Sequence, residues 1–147
     1  MAPVADIGQA DFESMMRMNT LTCFLCCREA VRAMRRSGRP KTDGGRIVNV
    51  IARPALEPTG GMLAYSTSKA GVASLTECLA REVLEEGILV NAVAPSIMDT
   101  PANRAGMPDG DFASWPKLEE VARAMVWLAS PANALTTGSL VPVYGRA

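Results

Sequence analysis

Two nearly unbroken apolar runs, at residues 46–52 and 88–94, most constrain the fold of this 147-residue chain. Each run is rich in valine and isoleucine, which is typical of a strand buried on both faces. The residues between them, 63–86, are predicted to form a long helix. Apolar strands that alternate with helices favour a parallel sheet with right-handed crossovers, so the sequence predicts an α/β fold.

Further elements are predicted on both sides of this unit. Residues 11–36 form a helix with Asp11 as its N-cap, residues 117–129 form another helix, and a last strand lies near 138–144. The segment 95–116 contains too many proline and glycine residues for a long helix, and such segments often cover a substrate. No repeat or second domain is evident, so residues 1–147 are interpreted as one domain.

Tyr65 and Lys69 lie four residues apart on the predicted helix 63–86. Residues with this spacing share a helix face, so the Lys69 ammonium can approach the phenol and lower its pKa from roughly 10. Such a tyrosine can act as an acid or a base. The spacing is common by chance, however, and an ordinary surface helix with an unrelated tyrosine and lysine would look the same.

The sequence around this pair carries further motifs. They are Asn19 in the first helix, the strand 45–50, and the run Val-Asn-Ala-Val-Ala-Pro at 90–95, followed by Thr100-Pro101. Together with Tyr65 and Lys69, these motifs resemble the short-chain dehydrogenase/reductase family over nearly the whole chain. The resemblance implies a doubly wound Rossmann-type sheet, NAD or NADP as cofactor, and oxidation or reduction of a small-molecule substrate.

The resemblance also implies roles for individual residues. Tyr65 would exchange a proton with the substrate, while Lys69 would lower its pKa and hydrogen-bond the nicotinamide ribose. Asn19 would help to hold a proton-relay water, although an asparagine inside a helix can equally mark a kink or an interface contact.

The turn after the second strand resembles the family turn that holds the nicotinamide carboxamide. Pro95 ends the strand, Ile97 would supply backbone contacts, and Thr100 would supply a hydroxyl. Ser96 stands where the family usually has glycine, which raises the question of whether the turn needs a positive φ angle that serine adopts poorly.

Ala52 occupies the position, thirteen residues before Tyr65, where the family carries a catalytic serine. With the segment 99–115, this feature resembles the dihydropteridine reductase branch, which also lacks the serine. A lost hydrogen bond to a buried substrate carbonyl costs about 1–3 kcal/mol. The substitution therefore favours a readily reduced acceptor such as a quinonoid dihydropterin as an alternative substrate.

A dinucleotide-binding fold normally begins with a strand and a glycine-rich turn that holds the pyrophosphate at a helix N-terminus. Neither Gly44-Gly45 nor Gly60-Gly61 has this pattern. The chain therefore resembles a partial domain without its N-terminal glycine-rich half, as expected for a truncated product, a misplaced start codon or a fragment. A non-catalytic remnant or association partner is a third hypothesis, and NAD cannot be distinguished from NADP.

The amino-acid composition argues against several classes of function. Fifteen basic and fifteen acidic residues balance, so charge predicts neither nucleic-acid nor membrane binding. No long apolar run or signal peptide is evident, and a cytoplasmic protein is expected. The absence of histidine excludes histidine-based triads and histidine-ligated metal sites.

The four cysteines, Cys23, Cys26, Cys27 and Cys78, have no second ligand pair. They are interpreted as small packing residues, with redox chemistry and metal binding as the less favoured alternative. The family resemblance also implies a homo-oligomer formed through helices 11–36 and 63–86.

Overall fold

Strand β2 (Ile88–Pro95) is the middle strand of a parallel sheet in the computed structural model, which describes residues 2–146. It pairs with β1 (Gly45–Val50), with Gly45 opposite Ile88 and Val50 opposite Val93. Its other neighbour is β3 (Leu140–Val143), which begins opposite Ala92. The predicted α/β fold with a partial parallel sheet is confirmed.

Six α-helices surround these strands in the described part of the chain. They are α1 (Gln9–Met16), α2 (Thr22–Arg36), α3 (Arg53–Leu56), α4 (Leu63–Glu82), α5 (Pro101–Gly106) and α6 (Leu118–Ala129). A π-helical turn at Arg17–Leu21 joins α1 to α2, and short 3₁₀ turns lie at Val4–Asp6 and Leu84–Glu86.

The predicted boundaries need several corrections. The first helix starts at Gln9 with Gly8 at its N-cap, so Asp11 lies in the first turn and is not the cap. The long helix ends at Glu82, and a 3₁₀ turn covers the rest of the predicted span. Two short helices, α3 and α5, occupy segments predicted as loops, each with a proline in its first turn, where a missing N–H is tolerated.

The core is divided between two faces of the sheet. On one face, Ile47 and Val90 pack against Val31 of α2 and Ala80 of α4. Side chains of successive strand residues point to opposite faces, and the neighbour of Ile47, Arg46, donates to the carbonyl of Asn133 just after α6 at 2.9 Å. Helix α6 therefore covers the other face.

Asn91 is a buried polar residue at the centre of β2. Its side chain is fully buried, donates to the carbonyl of Thr136 at 2.8 Å and accepts from the amide of Ser139 at 3.0 Å. The side chain therefore attaches the loop before β3 to the central strand.

Replacing Asn91 by alanine should lower the free energy of unfolding by about 1–3 kcal/mol, because a buried carbonyl and a buried amide would lose their partner. Urea unfolding followed by circular dichroism measures this loss. Leu135→Ala in the same loop is the matched control, since Leu135 is 90% exposed and should change stability by less than about 0.5 kcal/mol. Equal effects of the two substitutions would contradict the assigned role of Asn91.

Candidate active site

Helix α4 carries Tyr65 and Lys69 past the carboxyl end of β1. The Lys69 Nζ donates to the backbone carbonyl of Val50, the last residue of β1, at 3.0 Å. The amide of the next residue, Ile51, donates to Val93 of β2 at 2.9 Å. Because backbone polar groups alternate in direction along a strand, the Val50 carbonyl points away from β2. Lys69 therefore binds the free edge of β1.

Burial controls the ionisation of both residues. Desolvation raises the pKa of the half-buried Tyr65 phenol above its ordinary value. Desolvation also lowers the pKa of the Lys69 ammonium, while the nearby Cys23 thiol raises it. The sequence predicted that Lys69 lowers the pKa of Tyr65. That direction is wrong for this structure, because desolvation dominates at the phenol and the ammonium is hydrogen-bonded to a carbonyl.

Asn19 is connected to Tyr65 through a buried serine. Its Nδ2 donates to the Met15 carbonyl at 3.3 Å and to Ser68 Oγ at 3.0 Å. The Ser68 hydroxyl donates in turn to the backbone carbonyl of Tyr65 at 2.8 Å. Asn19 lies in the π-helical turn, so this irregular turn fixes α4 at the residue that carries the phenol.

Gly71 lets the same helices approach each other closely. A Cβ atom at this position would lie 2.9 Å from Thr20 Oγ1. The Thr20 hydroxyl donates to the Ser68 carbonyl at 2.8 Å, so its position is constrained. Sequence reasoning missed both Ser68 and Gly71, because their partners are distant in the chain.

The end of β2 and the turn after it contain Pro95, Ile97 and Thr100, which were predicted to contact a cofactor together with Tyr65 and Lys69. Pro95 is buried at the end of β2, and Ile97 is 43% exposed in the turn. Thr100 Oγ1 accepts from the Asn103 amide at 3.1 Å as the N-cap of α5. The Thr100 hydroxyl oxygen therefore already has a structural role, while its hydrogen can still be donated.

Ser96 does not need a positive φ angle. Among the described residues, only glycines have positive φ. The Ser96 hydroxyl donates to the Tyr144 carbonyl just after β3 at 2.7 Å. Serine is therefore compatible with this turn.

Ala52 follows β1 as an extended residue and is only 7% exposed. It places a methyl group where the family resemblance implied a hydroxyl. The next residue, Arg53, pairs with Glu57 at 2.8 Å, and its guanidinium lies 4.8 Å from the centre of the Tyr144 ring. These contacts place the partly exposed Arg53 side chain beside Glu57 and Tyr144.

A cavity of about 370 Å³ lies beside Tyr65. Its wall includes Ile7, Met15 and Met62, together with the acidic residues Asp6 and Asp11. Asp11 was predicted only as a helix N-cap, and the structure adds its place on this wall. The 3₁₀ turn before α1 brings Asp6 and Ile7 to the cavity.

The proline- and glycine-rich segment between β2 and α6 is folded around an ion pair. Arg104 of α5 makes two contacts to the Asp99 carboxylate, at 2.6 and 2.9 Å, and its guanidinium lies 4.7 Å from the centre of the Phe112 ring. Phe112 packs edge-to-face against the buried Trp115 at 4.9 Å. These contacts give a defined conformation to the segment 95–116, which was predicted to cover a substrate.

The described cysteines are all free thiols, and two of them lie outside the core. Cys27 is buried and Cys23 is half-buried, whereas Cys26 and Cys78 are exposed, which corrects their interpretation as packing residues. Within residues 2–146, no group of three or more histidine, cysteine, aspartate or glutamate residues could hold a metal ion. No helix in this range has both the length and the apolar character needed to cross a bilayer.

Comparison with known proteins agrees with this geometry. A family profile described as short chain dehydrogenase matches residues 1–109. The chain is 38% identical to galactitol 2-dehydrogenase of Rhizobium johnstonii over 96% of its own length and 58% of that protein. The chain belongs to the short-chain dehydrogenase family.

Solved structures show the same fold. Acetoin dehydrogenase from Enterobacter cloacae matches with a TM-score of 0.86 and 33% identity over 99% of this chain and 58% of that one. ElxO with NADP bound matches with a TM-score of 0.87 and 25% identity over 99% of this chain and 61% of that one. The chain thus spans about three fifths of the length of these proteins, which agrees with a partial Rossmann-type fold.

Replacing Lys69 by methionine should change how stability depends on pH. The pKa of Lys69 is lower in the folded chain than its ordinary 10.5. At pH values between the folded-state pKa and 10.5, the unfolded chain therefore binds more protons than the folded chain. Wild-type stability should therefore rise, relative to Lys69→Met, as the pH increases through this window. Urea midpoints between pH 8 and 10.5 measure the difference.

The matched control is Lys41→Met, which removes a lysine from an exposed loop near the opposite ends of the strands. This control measures how the loss of one positive charge at an exposed position changes the pH dependence of stability. A wild-type advantage over Lys69→Met that falls with increasing pH would contradict the assigned burial effect.

Proposed function

We propose that this chain carries the catalytic residues of an NAD(P)(H)-dependent oxidoreductase. In this proposal Tyr65 is the acid or base and Lys69 is its partner. The supporting observation is that both residues lie on α4 beside the carboxyl end of β1, with Tyr65 on the wall of a cavity. Open α/β sheets bind their ligands at the carboxyl ends of the strands.

The residues at this edge suit the nicotinamide part of a dinucleotide. Lys69 offers ammonium hydrogens to ribose hydroxyls, since an ammonium has three donors and its one described hydrogen bond is to Val50. Thr100 can donate its hydroxyl hydrogen, and Ile97 is 43% exposed in the turn. ElxO, a structural relative, is described with NADP bound. When bound, a nicotinamide supplies or accepts the hydride.

Tyr65 is suited to give a proton to the substrate. Because burial raises its pKa, the phenol is protonated at neutral pH. A protonated phenol beside the cavity can donate to an oxygen that gains electron density during reduction. Asn19 and Ser68 act on Tyr65 by fixing its backbone, which supports a positioning role for Asn19 in addition to the proposed contact with a relay water.

The substrate is proposed to be a small molecule with a hydroxyl or carbonyl group. Two relatives, galactitol 2-dehydrogenase and acetoin dehydrogenase, are named for substrates of this kind. The buried methyl of Ala52 favours a second candidate, a dihydropteridine reductase acting on a quinonoid dihydropterin, because such an acceptor needs less polarisation by a hydroxyl. Turnover with each substrate class separates the two proposals.

A non-catalytic remnant or association partner is the remaining alternative. No strand precedes α1 within residues 2–146, so this part of the chain offers no glycine-rich turn for the pyrophosphate. Direct measurement of cofactor binding distinguishes the alternative from the enzyme proposal.

Fluorescence titration of the 147-residue chain with NADH and NADPH should show saturable binding that Lys69→Ala weakens, because the ribose contact is lost. Tyr65→Phe should keep the affinity within about twofold. It should lower turnover by about 10²–10⁴-fold, since it removes only the proton donor.

The matched controls are Lys41→Ala and Tyr144→Phe, the latter at the only other tyrosine of the chain. Both should leave binding and turnover near wild-type values. If the folded wild-type chain binds neither cofactor, the remnant proposal is supported and the enzyme proposal fails for this chain.

A homo-oligomer is also proposed, with a second copy packed on helices α1, α2 and α4. A groove of about 630 Å³ runs between these helices and is lined by Phe12, Met16, Leu21, Phe24 and Leu75. It continues into a second groove that shares Phe24 and Leu75. Phe24 is 46% exposed and Leu21 is 44% exposed, so association would remove apolar surface from water. Charged residues also line the two grooves, among them Glu13, Arg17 and Arg28.

Leu21→Glu should shift the chain toward the monomer, because a carboxylate would be buried in the contact. Sedimentation velocity over a range of concentrations measures the shift. Val126→Glu on α6 is the control, since Val126 is 67% exposed and lies outside the groove. A monomeric wild-type chain, or equal effects of both substitutions, would count against the proposed contact.

A further inference from the structure

A second cavity, of about 540 Å³, lies between α4 and the segment that follows β1. One wall is a stripe of α4 whose residues are spaced by three or four positions and therefore share a helix face: Leu63, Ser66, Thr67 and Ala70. Helix α3, the loop 58–61 and Val4 provide further lining. Tyr65 does not line this cavity, although Gly61 and Leu63 also line the cavity beside Tyr65. The two cavities are therefore neighbours with different walls.

The Ser66 hydroxyl on this wall differs from the other buried hydroxyls of α4. The Ser68 hydroxyl donates to the Tyr65 carbonyl at 2.8 Å, and the Thr76 hydroxyl donates to the Val72 carbonyl at 2.8 Å. Ser66 is 8% exposed, and its Oγ has no hydrogen-bond partner among the residues that the structure describes. Because a buried donor without an acceptor costs free energy, Ser66 has a hydrogen bond to offer to a molecule in the cavity.

The rest of the lining indicates which molecule would fit. Within the described part of the chain, no charged residue lines the cavity. Two lining residues, Pro54 and Pro58, have no backbone N–H, and Val4 and Leu63 are 68% and 43% exposed. A ligand would therefore cover apolar surface and find no partner for an ionic group. The volume lies within the range of small-molecule sites, roughly 300–1,000 Å³.

We propose that this cavity binds an uncharged, largely apolar small molecule whose carbonyl oxygen accepts a hydrogen bond from Ser66. Rotation of the Ser66 side chain about its Cα–Cβ bond brings the hydroxyl, which is shielded from water in this structure, to the ligand. The apolar part of the ligand packs on Leu63, Ala70 and Val4. A dinucleotide does not fit this description, because its pyrophosphate is charged, so the site is separate from the one proposed for NAD(P).

Acetophenone is a suitable probe, since it combines an apolar ring with one carbonyl oxygen. It is titrated into the ¹⁵N-labelled full chain without cofactor, and two-dimensional NMR spectra are recorded. We expect saturable shifts at the amides of Gly60, Ser66, Thr67 and Ala70. Benzoate has the same ring with a negative charge and should bind at least about tenfold more weakly, because the cavity offers its charge no partner.

Ser66→Ala tests the hydrogen bond. It should weaken acetophenone binding by about two- to tenfold, the usual effect of one neutral hydrogen bond. The urea midpoint should stay unchanged or rise, because the free chain loses no hydrogen bond when Oγ is removed. Ser74→Ala is the matched control, since Ser74 is an exposed serine on the same helix and does not line the cavity. It should change neither the affinity nor the midpoint.

Ala70→Leu tests the position of the ligand and leaves the Ser66 hydroxyl in place. Ala70 is exposed on the cavity wall, so the larger side chain should fill part of the space and abolish the saturable shifts. Ser74→Leu is its control and should bind acetophenone like the wild-type chain. Circular dichroism verifies that each variant is folded.

Several results would overturn the proposal. They are absent or equal binding of acetophenone and benzoate, shifts confined to Asp6, Ile7 and Met15 beside Tyr65, and unchanged affinity in folded Ser66→Ala. Amide shifts at the cavity on dilution without a probe would show that a second copy of the chain covers it, which would also overturn the proposal. None of these readouts uses turnover, so the result is independent of the proposed oxidoreductase activity.

Discussion

The positions of the functional residues depend on the pairing of β1 with β2. Strand β2 is the only described strand with neighbours on both sides, and Val90, Ala92, Val93 and Ala94 have no exposed surface. The register between β1 and β2 sets the position of Val50 along the sheet, and Lys69 binds the carbonyl of Val50. A shift of one residue would turn the buried valines to the other face, so burial holds this register strongly.

Desolvation is the second factor that shapes the site. It raises the pKa of Tyr65 and lowers the pKa of Lys69, so at this site burial has a larger effect on ionisation than the spacing of the two residues. The proposed proton donor and the ammonium both lie on helix α4, which packs against the π-helical turn before α2. The hydrogen bonds of Asn19 and Ser68 hold these two elements together and also fix the backbone of Tyr65. The same contacts therefore stabilise the fold and position the proposed proton donor.

The main elements could be predicted to within a few residues, because the strands are apolar runs bounded by glycine or proline. The short helices α3 and α5 and the π-helical turn were not predicted, since elements of four to six residues leave little periodic signal. Thr100 was predicted to offer a hydroxyl to a cofactor, and the structure adds its role as the N-cap of α5. The exposure of Cys26 depends on which helix face meets α4, which was not apparent from a cluster of cysteines.

The sequence by itself determined the parallel α/β architecture, the family, and the candidate pair Tyr65 and Lys69, because alternating elements and a four-residue spacing are local properties. Only the tertiary structure decided what these residues touch. Lys69 binds a carbonyl 19 residues away, and Asn19 meets Ser68 across 49 residues. Such contacts, and the burial that raises the pKa of Tyr65, exist only after the crossover has placed α4 against the sheet, so no local pattern specifies them.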